Sequence, residues 1–145
     1  MKLSTKGRYG LRLMLDLAVD YGNGPVTLKE VSKRQDISEK YLWHLIPPLK
    51  TAGLVTSARG SRGGYTLSKP PGSINLLEIF SALEGSACLV ECTEHPSMCR
   101  RSATCIAREV WAEASKKMFD YLASLSLEKL VERQKSKQDK FSYAI

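Results

Sequence analysis

All four cysteines of the chain stand within one short stretch, "CLVECTEHPSMCRRSATC". Thiolates bind soft metals, hold iron–sulfur clusters and oxidise, so this stretch is where the sequence offers chemistry. The spacing is C-x3-C-x6-C-x5-C. Structural zinc sites usually pair two close C-x2–4-C units across a longer spacer, and these intervals are stretched and uneven. A thiolate-held cluster needs three or four sulfurs on a segment pliant enough to converge on iron. Cys92 and Cys99 read as loop residues, and Cys105 as part of the first turn of a long helix. The helix dipole favours a thiolate there. Arg100 and Arg101 add positive charge beside an anionic group, and His95 is a spare ligand for the zinc alternative. Cys88, next to Leu89 and Val90, reads as a buried, inert thiol.

"MKLSTKGRYG" lacks the apolar core of a secretion signal, and no apolar run approaches the ~20 residues of a membrane span. The expectation is a cytoplasmic protein without a membrane partner, in which thiols stay reduced and a disulfide framework is disfavoured. No nucleophile–base constellation is visible. The two histidines, His44 and His95, lie far apart in sequence, and there is no C-x-x-C. The chain does not read as an enzyme.

The positioning elements are mostly helical. "STKGRYGLRLMLDLAVDYG" reads as a first helix capped by Ser4 or Thr5, with Leu11, Met14, Leu15 and Ala18 at helical spacing. Thr27 with Glu30 forms a capping box for a short second helix, and Ser38 caps a third. In the third, Leu42, Leu45, Ile46 and Leu49 face inward, and Pro47 and Pro48 predict a kink or a loosened last turn. Val55–Ser57 and Tyr65–Leu67 read as paired strands around the Gly-rich turn "ARGSRGG". The fold class is therefore mainly α with a small β-wing: a winged helix-turn-helix followed by a long helix. The expected division is 1–72 as the DNA-binding unit, 73–101 as a connecting helix and cysteine-bearing loop, and 102–145 as a long dimerisation helix with a terminal helix and tail. On that helix, Ala107, Trp111, Ala114, Met118, Tyr121 and Leu125 repeat at 3.5 residues, the period of a coiled-coil seam. "SLEKLVERQ" predicts a short terminal helix, and "KSKQDKFSYAI" a frayed tail.

Charge supports nucleic acid as the partner. The net charge is +7, and residues 1–72 hold 12 Lys and Arg against 5 Asp and Glu, whereas residues 73–145 hold 10 against 10. The whole excess lies in the half with the helix-turn-helix. A third helix of this kind lies in the major groove with its N-terminal residues on base edges. Lys40, Tyr41, Trp43 and His44 are the candidates there. Arg59, Ser61 and Arg62 on the wing can enter a minor groove or grip phosphates, and Lys6, Arg8 and Arg12 can add phosphate contacts from the first helix.

Taken together, "LSTKGRYGLRLMLDLA", "ISEKYLWHLIPPLKTAGLV", "RGSRGGYTLSKPP", the cysteines at 92, 99 and 105, and Trp111 resemble the IscR-type winged-helix regulators, the group of IscR, NsrR, RirA and CymR. The likeness spans nearly the whole chain and is strongest to the IscR branch. It implies a homodimer paired through the long helix on a pseudo-palindromic operator. It also implies an iron–sulfur cluster of the 2Fe–2S type held by Cys92, Cys99 and Cys105, and control of cluster-biogenesis genes. A zinc-binding or thiol-redox-sensing repressor of the same fold is the alternative. Some residues depart from the pattern. Arg108 stands where the IscR branch has a ligating histidine, so the fourth ligand is open among His95, Glu94, Glu109, Cys88, an external thiol and water. Arg8 stands where the nitric-oxide-sensing branch can use an acid, and Trp43 and His44 replace the Glu and Gln of the IscR branch.

Overall fold

The computed structural model describes residues 2–85 and 88–143. Helix α1 spans Thr5–Val19, α2 Leu28–Gln35 and α3 Glu39–Thr51. Each starts where a short polar side chain accepts a backbone N–H that the helix leaves over. Ser4 accepts from Gly7, Ser38 accepts from Tyr41, and Thr27 and Glu30 close the expected capping box. Asp36 closes α2 in the left-handed region at φ 52°, which makes the tight turn into α3.

Strands β1 (Val55–Ala58) and β2 (Gly64–Leu67) form the antiparallel wing, registered Val55 to Leu67 and Ser57 to Tyr65. Helix α4 (Leu76–Glu84) follows, then two single-turn 3-10 segments at Glu91–Thr93 and Pro96–Met98. The last helices are α5 (Ile106–Ser124) and α6 (Leu127–Tyr143). Among the described residues no helix is long and apolar enough to cross a membrane.

Helix α3 runs to Thr51 with Pro47 and Pro48 inside it, and the burial of Leu45, Ile46 and Leu49 on its inner face outweighs the two missing N–H groups. Several expectations need correction. On α1, Leu13 and Leu17 are fully buried, whereas Leu11 and Leu15 are half-buried. This helix is packed by α2, α3, α4, α6 and β2, so no single apolar stripe describes it. Its approach to α4 requires small residues: a Cβ on Gly10 would overlap Leu83, and one on Gly7 would lie 2.5 Å from Glu84 Oε1.

The C-terminal part differs most. Helix α5 begins at Ile106 rather than near Ser102, and Cys105 is its N-cap. Helix α6 continues to Tyr143 through the tail expected to fray, because residues 134–143 contain helix formers and no Gly or Pro. Ala144 and Ile145 lie outside the described residues. Leu127 and Val131 of α6 join the core with Leu13, Leu17 and Ile79. The Leu127 N–H donates to Ile74 O at 2.9 Å, and the Leu76 N–H to Leu125 O at 2.9 Å. Residues 1–72 therefore share one core with α4 and α6.

Candidate functional site

The outer face of α3 comes from the same spacing that buries Leu42, Leu45, Ile46 and Leu49. Lys40, Trp43 and His44 are exposed, Trp43 by 55%. Tyr41 is turned away from that face. It is half-buried and packs edge-on against Tyr9 of α1, ring centroids 5.5 Å apart at 89°. The Tyr9 ring also carries cations, with the Arg8 and Arg12 guanidinium carbons 5.8 and 5.5 Å from its centroid. Arg12 is committed further: its Nε donates to Gln35 Oε1 at 3.3 Å and its Nη2 donates to the Gln35 carbonyl. Lys6 and Arg8 remain exposed at the start of α1.

The wing tip places Arg59, Ser61 and Arg62 in solvent. Gly60, at φ 105°, supplies the turn that brings the Gly63 N–H onto Gly60 O at 3.0 Å. Two arginines on a bare turn have no packing role and present ten N–H donors to a phosphate chain, roughly five each.

Two features escaped the sequence reading. Asp16, buried in α1, receives Arg34 at both oxygens (2.5 and 3.2 Å) and the Gln35 amide at 2.9 Å. Arg34 also reaches Asp20 at 2.9 Å. The hydrogen bond to Asp16 holds the Arg34 guanidinium above its usual range, and this network docks the helix-turn-helix onto α1. An acidic residue set inside the apolar run of residues 13–19 was the available signal. The second feature is Tyr65 of β2, whose ring meets the Trp43 indole edge-on at 6.2 Å and 86°.

The cysteine loop is held locally. Its backbone is tied mostly by short-range bonds, such as Glu94 N–H to Glu91 O at 3.1 Å and Ser102 N–H to Cys99 O at 3.2 Å. Longer-range ties come from α5: Arg108 Nε donates to Cys92 O at 2.9 Å, and Ser115 Oγ accepts the Leu89 N–H at 3.4 Å. Arg108, which stands where the IscR branch has a histidine, thus anchors the peptide of Cys92. Cys99 is exposed, and Cys92 and Cys105 are half-buried. Cys88 is half-buried rather than buried, and it lines a cavity of about 300 Å³ with Ser115, Lys116 and Phe119. As donors the three thiols suit a soft metal or an iron–sulfur cluster. As placed, no three His, Cys, Asp or Glu among the described residues form a group able to hold a metal.

On α5, Ile106, Val110, Trp111, Met118 and Tyr121 are exposed, and Ala107 with them. Ala114 is half-buried. Leu125, expected at the end of this seam, is instead the C-cap of α5 and lies 7% exposed against Leu76 and Phe80. It belongs to the chain's own core.

A capped helix-turn-helix with a two-stranded wing defines a winged-helix regulator. The chain belongs to the Rrf2 family, described as an iron-dependent transcriptional regulator, which residues 3–133 match. It is 41% identical over 131 residues to protein rrf2 of Nitratidesulfovibrio vulgaris, covering 90% of this chain and 87% of that one. Among solved structures it is similar to CymR, the global cysteine regulator of B. subtilis, with TM-score 0.77 and 39% identity over 92% of this chain and 98% of that chain. It is also similar to T. potens IscR, with TM-score 0.79 and 37% identity over 95% and 91% of the two chains.

Proposed function

We propose that this transcriptional regulator binds a pseudo-palindromic DNA operator as a homodimer and reads it with α3 and the wing. One observation carries the reading: the Trp43–Tyr65 contact joins the outer face of α3, with exposed Lys40 and His44, to strand β2 of the wing, whose turn carries exposed Arg59 and Arg62. Lys40, Trp43 and His44 face base edges, Arg59, Ser61 and Arg62 hold the wing on the backbone or in the minor groove, and Lys6 and Arg8 add phosphate contacts. Tyr41 supports this surface from behind through Tyr9. The second copy pairs along α5, where Trp111, Met118 and Tyr121 form an apolar face too large to leave in water.

Cys92, Cys99 and Cys105 hold a 2Fe–2S cluster in this reading, and the genes controlled are those that build such clusters. When bound, the cluster would supply a redox-active group that can be oxidised or lost. The chain's own part is to close a loop that Arg108 tethers at Cys92. A specific observation favours a second reading, a zinc- or thiol-redox sensor: the three thiols are not gathered, and Cys99 is exposed to oxidants. Anaerobic purification decides between them. Brown protein with iron and acid-labile sulfide supports the cluster; colourless protein with zinc or reversible thiol oxidation supports the second reading. Selection of duplexes from a random library tests DNA reading itself. Enrichment of a two-fold symmetric sequence is expected, and no enrichment would remove it.

A further inference from the structure

Tyr65 occupies an unusual junction. Its backbone bridges Val26, the residue before the cap of α2: the Val26 N–H donates to Tyr65 O at 2.9 Å and the Tyr65 N–H to Val26 O at 2.8 Å. The neighbouring Gly64, at φ 151°, permits this docking, since a Cβ there would lie 2.5 Å from Val26 O. The strand is pinned to the helix-turn-helix by these main-chain bonds together with Leu67 in the core, and the half-buried Tyr65 ring packs partly on that core as well. That side chain meets Trp43 edge-to-face, the geometry in which a ring's positive edge meets a negative face.

Trp43 needs such a partner. Its indole is more than half exposed, so the core does not hold its rotamer. Its helix is also softened locally, because Pro47 and Pro48 offer no N–H to the carbonyls of Trp43 and His44. An unheld indole over the major groove would sample several rotamers and favour no particular base pair.

We infer that Tyr65 is a positioning residue that fixes the Trp43 indole, so that the wing and the recognition helix read DNA as one unit and Tyr65 determines specificity without touching a base. The inference rests on the DNA-reading proposal. It predicts that loss of the Tyr65 ring blurs base preference only where Trp43 reads, and does so by roughly the two- to tenfold that an aromatic pair supplies.

The test uses the full chain. Without DNA, the indole N–H resonances of Trp43 and Trp111 are recorded. Tyr65→Leu is expected to shift the resonance that Trp43→Leu abolishes and to leave the other in place, while Tyr65→Phe preserves both. On DNA, affinities are measured for the duplex selected by the wild-type chain and for its single base-pair variants, at two salt concentrations. Tyr65→Leu is expected to flatten preference by about two- to tenfold at the symmetry-related positions that Trp43→Leu also flattens, with an unchanged salt slope and little added effect in the double variant. Tyr65→Phe restores the profile. The inference is overturned by an unchanged Tyr65→Leu profile, by uniform weakening on all duplexes, by additivity with Trp43→Leu, or by a Phe variant as impaired as Leu, which would make the hydroxyl a DNA contact. A wild-type chain that selects no sequence overturns the DNA-reading proposal itself and the specificity role with it; the resonance shift would then report the ring pair alone.

Discussion

Replacing Asp16 with Asn would test whether the buried carboxylate is what docks α2 onto α1. Asp16 accepts two hydrogen bonds from Arg34 and one from Gln35. An amide at the same place presents one oxygen and one NH2 group, so a donor then faces the Arg34 or Gln35 donors. Breaking a buried ion pair from one side commonly costs about 3–5 kcal/mol. Here the Arg34 side chain is 44% exposed and keeps Asp20, so much of its charge can be recovered by water. The expected loss is about 2 kcal/mol, which for a chain of this length corresponds to a fall in Tm of roughly 4–8 °C. Urea unfolding at fixed protein concentration measures it, because a dimer's stability depends on concentration. A cycle with Arg34→Met isolates the pair: Asp16→Asn should cost much less once the arginine is gone. A loss under about 0.5 kcal/mol, or equal costs in both backgrounds, would refute the account of how the helix-turn-helix is held.

Arg59→Ala and Arg62→Ala should each weaken operator binding on all sequences and reduce its salt slope by about 1, read from binding isotherms across salt. Trp111→Glu or Met118→Glu should dissociate the dimer in sedimentation. Leu125→Ala should leave it dimeric yet less stable by about 2–4 kcal/mol in urea unfolding, because Leu125 packs on Leu76 and Phe80. Cys92→Ala should abolish iron content in anaerobic protein, and Cys88→Ala should leave it intact. Burial alone would raise the Glu78 carboxyl, but Lys69 at 2.8 Å and the Asn75 N–H at 2.9 Å hold it below the ordinary carboxylate range. Its contribution is therefore present above the unfolded pKa and lost as pH falls through the lowered one, and Glu78→Gln should lower Tm at pH 7 and flatten the acid limb.

Much of the scaffold was readable because its rules are local. Ser4, Thr27 with Glu30, and Ser38 cap the helices they precede, and a cap needs only the next three or four residues. The wing was readable because a Gly-rich turn between two short apolar runs has few other solutions. Polarity misled at the C-terminus: the tail looked frayed, but helix propensity depends on the absence of breakers, and α6 continues through it. The candidate site was only half legible. Helical spacing put Lys40, Trp43 and His44 outward, yet it did not show that Tyr41 would turn to Tyr9, which comes from another helix.

By itself, then, the chain of residues determined the capped helices, the hairpin, the outward set on α3 and the gathering of the cysteines in one segment, all of which follow from neighbours a few positions apart. Tertiary structure alone decided the contacts between distant segments. It put Tyr65 on Trp43, drew Arg34 to Asp16, assigned Leu125 to the core rather than the α5 face, and left three thiols apart with Arg108 on Cys92. The reason is physical: periodicity states which way a side chain points, but what it meets depends on packing between elements that approach only in the folded chain.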